Sequence, residues 1–180
     1  KSQLNASTGE FNTSLGSLSM GSGVVTGDAG VAIGYNTGAS LTSGIYNTLI
    51  GAYAGDALTT GGYNVAIGYQ TLSVEDGHGT NVAIGHRALA VQDAGADAYN
   101  VAIGFTAGVA VTTGVNNTLM GGLVGDALTT GSGNVAIGHQ ALTTEDAHGA
   151  NTAIGYRALK NQNAGADAYN VAVGYDAGLS

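Results

Sequence analysis

The sequence has no cysteine, no proline and no tryptophan, and only 9% of its 180 residues are charged. Without cysteine, disulfides and thiolate metal sites are excluded. Four lysine and arginine residues stand against twelve aspartate and glutamate residues, and the net charge is −8. We therefore expect no nucleic acid partner, because phosphate recognition needs a basic surface. No run of about 18 apolar residues is present, so we also expect no membrane insertion.

Glycine is abundant instead, with 32 residues, and it closes a repeated motif, Asn-[Val/Thr]-[Ala/Leu]-[Ile/Met/Val]-Gly. Ten copies occur, of which 12–16 is degenerate and 30–34 has glycine in place of asparagine. Their terminal glycines are 17 to 19 residues apart. Residues 34–103 and 104–173 align without gaps with 43 identities in 70, which indicates duplication of a four-copy block. The other eight copies begin with Asn47, Asn64, Asn81, Asn100, Asn117, Asn134, Asn151 and Asn170.

The motif alternates larger apolar residues with small or polar ones, which is the period-two pattern of a short β-strand with two different faces. We predict an all-β protein, a parallel β-solenoid of the β-roll or β-helix type with about ten coils of 17–19 residues. Residues 1–29 would form an N-terminal segment that includes a degenerate first coil. Residues 30–180 would form the regular repeats, with the two 70-residue blocks at 34–103 and 104–173.

The fourth residue after the motif glycine divides the coils into two classes. We expect a leucine there to place one more side chain in the core, and a glycine to permit a turn with positive φ. The glycine class contains Gly38, Gly55, Gly108, Gly125 and Gly178, and the leucine class contains Leu72, Leu89, Leu142 and Leu159.

The two strand faces predict an assembly of several chains. We expect the valine and isoleucine side chains to fill the interior, so that Ile84→Asp or Ile103→Asp would disrupt the core. The alanines would then lie on the opposite face as an apolar stripe, which is typical of an interface. Identical copies would cover it, most simply as a homotrimer. These alanines are Ala66, Ala83, Ala102, Ala136, Ala153 and Ala172.

The sequences Asn-Val-Ala-Ile-Gly-His-Gln-Ala-Leu at 134–142 and Asn-Thr-Ala-Ile-Gly-Tyr-Arg-Ala-Leu at 151–159 resemble the head repeats of trimeric autotransporter adhesins. They resemble still more closely the repeat arrays of phage tail-fibre proteins, since the adhesin repeat is shorter. The resemblance implies a homotrimeric structural segment of a virion tail fibre that attaches to a host polysaccharide or protein receptor and to other tail components. The alternative is an adhesin head on a bacterial cell surface. The chain runs from Lys1 to Ser180, and we expect it to be a fragment or a processed chain.

The asparagine column is the most regular polar feature of the sequence. Ions or glycans are conceivable ligands, but a structural role is favoured, in which the stacked amides bond to each other and to adjacent turns. The rings after the motif glycine could contact glycans, and Tyr35, Tyr69, Tyr156 and Tyr175 are the candidates. The alternative is a ring ladder that covers the strand edge or packs between chains.

Two acidic clusters with a histidine are the best candidates for metal ligands. Solvated turns are nevertheless favoured, because the copies lie roughly 19 Å apart and each would need ligands from neighbouring chains. The residues are Glu75, Asp76 and His78 in the first block and Glu145, Asp146 and His148 in the second. Asp56, Asp97, Asp126 and Asp167 lie in glycine-rich turns, for which local Asx-turns are expected rather than calcium.

No catalytic triad or phosphate-binding loop is recognisable, so we expect neither enzymatic activity nor a cofactor. Two further alternatives remain. A glycan depolymerase would use paired carboxylates such as Glu75 and Asp76. An ice-binding solenoid would need threonine in every coil, whereas the pairs at 59–60, 112–113, 129–130 and 143–144 occur in only some coils.

Overall fold

The computed structural model describes residues 8–21, 24–145, 147–163, 165–166 and 169–179. Ten three-residue strands, one from each motif copy, form a single parallel sheet in chain order. This confirms the all-β, parallel β-solenoid prediction. No helix in the part of the chain that is described is long and apolar enough to cross a membrane. The strands are β1 Thr13–Leu15, β2 Val31–Ile33, β3 Thr48–Ile50, β4 Val65–Ile67, β5 Val82–Ile84, β6 Val101–Ile103, β7 Thr118–Met120, β8 Val135–Ile137, β9 Thr152–Ile154 and β10 Val171–Val173.

Main-chain hydrogen bonds join the coils on both sides of the stack. In the sheet, each motif residue lies opposite its equivalent in the next coil, as Ala66 lies opposite Ala83. Away from the sheet, the Thr42 N–H donates to the Thr59 carbonyl at 2.9 Å, and the Thr59 N–H donates to the Asp76 carbonyl at 2.6 Å. The Thr59 hydroxyl also donates to the Asp76 carbonyl, at 2.9 Å. These threonines therefore connect coils rather than present free hydroxyl groups.

The assignment of the two strand faces was wrong. The middle residue of each strand points into the coil, and Ala66, Ala83 and Ala102 are fully buried. The flanking positions, such as Val82 and Ile84, point outward and are only partly buried. The coil is narrow, and interior space near the sheet accommodates a methyl group more readily than a branched side chain. The alanine column is therefore core, and the valine and isoleucine columns form the outer face.

At the fourth position after the motif glycine, the predicted burial of the leucines is confirmed, but the expected difference in backbone turn between the two classes was wrong. Leu72, Leu89 and Leu142 are fully buried, and Leu159 is nearly so. The corresponding glycines have φ between 53° and 64°, but the leucines adopt the same region, with φ between 48° and 52°. The leucine and glycine coils therefore turn in the same way at this position. The choice between leucine and glycine determines only whether a side chain from this position fills the core.

Each pair of glycine coils leaves space that a strand leucine fills. Leu49 replaces the usual alanine in β3, and its two methyl groups lie 2.9 Å from where a Cβ on Gly38 or Gly55 would be. Leu119 occupies the equivalent place between Gly108 and Gly125 in the second block. Core volume is thus conserved because the large residue moves from the turn to the strand.

The motif glycine sets how closely the coils stack. Its φ lies between 126° and 143° in all ten copies, which side chains rarely adopt. A Cβ on Gly85 would lie 2.2 Å from the carbonyl oxygen of Gly104 in the next coil. The main chains of adjacent coils are therefore in direct contact at this column.

We predict that Gly85→Ala lowers the free energy of unfolding by about 2–5 kcal/mol, because it adds backbone strain to a clash with rigid main chain. Thermal or urea denaturation followed by circular dichroism measures the loss. Gly77→Ala is the matched control, since the nearest atom to its added Cβ is the Thr60 hydroxyl at 3.5 Å and the second block has Ala147 there. Equal stability of the two variants would contradict the close-contact interpretation.

Candidate functional site

The outer face of the sheet is an uncharged apolar surface. It consists of two columns, one of valine and threonine at the first strand position and one of isoleucine, leucine, methionine and valine at the third. Most of these side chains are partly buried by their stacked neighbours, and Met120 is 39% exposed. Nothing within the described part of the chain covers this face. A continuous apolar surface of this kind is typical of an interface.

A column of rings borders the outer face, and all four candidate glycan-contact tyrosines lie in it. His86 stacks on Tyr69 and on Phe105 with centroid distances of 5.4 and 5.1 Å. Tyr156 stacks between His139 and Tyr175 at 5.6 and 5.0 Å. Tyr35 is linked to Tyr69 through edge contacts with Tyr53. The four tyrosines are 41% to 75% exposed, so they combine ladder packing with accessible ring surface.

The asparagine column runs along the interior of the stack, from one coil to the next. Seven of the eight side chains are buried, and Asn170 is partly buried. Each Oδ1 accepts the main-chain N–H of the next asparagine in the column, at 2.8 to 3.3 Å. Several Nδ2 groups donate to the carbonyl 14 residues further on, as Asn100 does to Gly114 at 2.7 Å. The amides therefore satisfy buried main-chain groups, and only Asn134 donates to another amide of the column, that of Asn117.

We predict that Asn100→Ala lowers the free energy of unfolding by roughly 2–5 kcal/mol, because the Asn117 N–H and the Gly114 carbonyl would lose buried partners. Chemical denaturation measures the difference. Asn163→Ala is the control, because Asn163 is exposed and we expect a change within about 0.5 kcal/mol. A similar loss in both variants would contradict this role of the column.

The first acidic cluster differs from the solvated turn that we expected. Asp76 is exposed, but Glu75 is fully buried. Its Oε1 accepts the His78 main-chain N–H at 3.1 Å and lies 3.6 Å from His78 Nδ1. Burial, together with the neighbouring Asp93 and Asp76 carboxylates, raises the pKa of Glu75, and the bond from His78 opposes this rise. Asp93, which sequence reasoning missed, joins the cluster from the turn of the next coil.

The second acidic cluster is arranged differently. Glu145 is also fully buried, and its Oε1 lies within hydrogen-bonding distance, 3.2 Å, of His148 Nδ1. Its Oε1 also accepts the His148 main-chain N–H at 3.2 Å. Asp146 lies outside the described residues. The two copies are therefore similar in sequence but differ in how the histidine side chain is held.

The other acidic turns differ in their contacts, and Asp97 bonds to the previous coil rather than within its own turn. Burial raises the pKa of Asp56 and of Asp126, which occupy equivalent places in the two blocks. Asp97 accepts the Gly79 N–H at 3.0 Å and so connects two coils. Asp167 lies outside the described residues. Arg157 pairs with Asp176 at 3.5 Å, a partly exposed contact that adds little stability.

A scan against protein-family models found no match to the chain, and searches of curated proteins and of solved structures found none either. Functional interpretation therefore rests on the outer face, the ring column, the asparagine column and the two acidic clusters. Of these, the outer face follows all ten strands of the sheet.

Proposed function

We propose that the chain is a structural and receptor-binding segment of a bacteriophage tail fibre, in which three copies form a rigid rod. The observation that carries the proposal is the uncharged outer face, which follows the whole sheet. The outer face of an identical copy has the same spacing between coils. The apolar side chains of two copies can therefore pack against each other coil by coil along the whole sheet. Covering apolar surface of this extent is strongly favourable. Closed symmetry then covers the face of every copy.

In this proposal the chains contact each other through the outer face, and not through the alanine column as predicted from the sequence. The valine and isoleucine columns supply its apolar contact surface, and the exposed ring column lies beside it. Ten stacked coils at about 4.8 Å would make a rod of roughly 45–50 Å. Such a rod suits attachment at a distance from the virion, with other tail components and a host polysaccharide or protein receptor as partners. The same architecture on a bacterial surface is the alternative, and a secretion signal and membrane anchor encoded in the same gene would favour it.

We predict a native mass near three times 17.6 kDa by light scattering. Ile84→Asp combined with Ile103→Asp should give monomers that retain their β-sheet circular dichroism, because both side chains point outward. Ala83→Asp should instead unfold the stack, since it places a charge inside the coil at a cost of several kcal/mol.

Val74→Asp is the control for this assembly experiment, because Val74 is 45% exposed and lies outside the sheet. Its native mass should equal that of the wild-type chain. A wild-type monomer, or a trimer that survives both isoleucine substitutions, would contradict the proposed interface.

We predict that the ring column contributes to receptor binding. The trimer would be tested on an array of lipopolysaccharides and capsular polysaccharides from bacterial envelopes. Tyr156→Ala with Tyr175→Ala should weaken binding about tenfold through lost ring stacking, with no change in native mass. Tyr99→Ala is the control, since this tyrosine is 59% exposed but lies outside the column. Equal losses in both variants would contradict a role for the column, and no binding to any glycan would leave only the structural part of the proposal.

A further inference from the structure

Four potential metal ligands from two successive coils converge at one place on the stack. Glu75, Asp76 and His78 come from one turn and Asp93 from the next. One ligand atom from each of the four lies within 4.8 Å of those from the other three. A single chain thus supplies the whole set, contrary to our expectation that neighbouring chains would be needed. Three carboxylates and one imidazole are suitable ligands for a divalent cation.

Two atoms of this cluster are buried and lack a hydrogen-bond partner. Asp56 and Asp126 also have such an oxygen, but among the described residues the convergence of ligand atoms occurs at this cluster. Glu75 is fully buried, and its Oε2 has no hydrogen-bond partner. The Nδ1 atom of His78 is buried and has no hydrogen bond either. Buried polar atoms normally have partners, because leaving them unpaired is unfavourable. A cation between these atoms would satisfy a carboxylate oxygen and an imidazole nitrogen together.

The duplicated block offers an internal comparison. Asn163 occupies the position of Asp93, and Lys160 occupies the position of Ala90. The second block thus has one carboxylate fewer and one cation more at these positions. His148 Nδ1 also lies within hydrogen-bonding distance of Glu145, at 3.2 Å, whereas the equivalent nitrogen of His78 has no such bond. Among the described residues, the convergence of four ligand atoms occurs in the first block.

We propose that Glu75, Asp76, His78 and Asp93 form a binding site for a divalent transition-metal cation, with Zn²⁺ as the representative ion. Imidazole favours Zn²⁺ and related ions over Ca²⁺, and the carboxylates supply the compensating negative charge. The bound ion would connect two adjacent coils through side chains. It would act as a local cross-link in the stack, independent of the proposed assembly and receptor.

Isothermal titration of the metal-free chain with ZnCl₂ tests the site. We expect one Zn²⁺ per chain in the wild type, and a loss of affinity of roughly tenfold or more in Glu75→Gln and in Asp93→Asn. Glutamine keeps an oxygen for the His78 N–H, and asparagine is the residue of the second block, so both variants should fold. Glu145→Gln is the matched control and should bind like the wild type. CaCl₂ should bind more weakly than ZnCl₂.

Two further measurements distinguish Zn²⁺ binding at this site from Zn²⁺ binding to other histidines of the chain. Nitrogen chemical shifts of the His78 ring should change on addition of one equivalent of Zn²⁺, while those of His148 should not. The melting temperature should rise with Zn²⁺ in the wild type and not in Asp93→Asn. Absence of Zn²⁺ binding, or equal effects of Glu75→Gln and Glu145→Gln, would overturn the proposal. Tighter binding of Ca²⁺ than of Zn²⁺ would overturn the role of His78.

Discussion

The close stacking of coils is the constraint on which the rest of the structure depends. Parallel strands lie about 4.8 Å apart, so each residue must fit an equivalent residue one coil away. The motif glycine shows this most directly, because a Cβ at Gly68 would lie 2.4 Å from the carbonyl oxygen of Gly85. A side chain there would separate the coils and weaken every hydrogen bond between them. In the motif copies that a further coil follows, the glycine is thus a consequence of backbone contact.

A narrow coil also limits what the core can contain. Its sheet side holds one small side chain per strand, except where Leu49 or Leu119 fills space left by glycines. The interior further includes a buried asparagine column, whose amides pair with main-chain groups. Stability therefore depends on many identical contacts between neighbours, as expected for a solenoid. At the strand positions other than those of Leu49 and Leu119, the larger apolar side chains have room only outside, and this is why the sheet carries an apolar outer face.

Sequence periodicity predicted the strands, their parallel order and the coil length, because each coil must repeat the previous one. It also predicted the buried leucines, including Leu72. It failed for the strand faces, since alternation shows that two faces exist but not which of them is inside. The pair Ala83 and Ile84 illustrates the point: hydrophobicity favours burial of isoleucine, whereas the width of the coil selects alanine. One signal was available in the sequence, because leucine replaces the strand alanine only between two glycine coils.

Positions that repeat in both blocks indicate the stacking of coils, whereas positions that differ between equivalent coils or blocks can indicate a local function. Turn glycines such as Gly55 and Gly125 are the same in both blocks, whereas the ring column has Tyr69 in the first block and His139 in the second. The seventh position after the motif glycine holds Leu58 in a glycine coil but buried Glu75 in a leucine coil. A buried carboxylate is costly unless it has partners, so a purely structural role would favour an apolar residue there. Both blocks have this buried carboxylate, as Glu75 and Glu145, and in each block it accepts the main-chain N–H of the histidine three residues later. The first block has Asp93 beside it where the second has Asn163, and this difference is the basis of the proposed metal site.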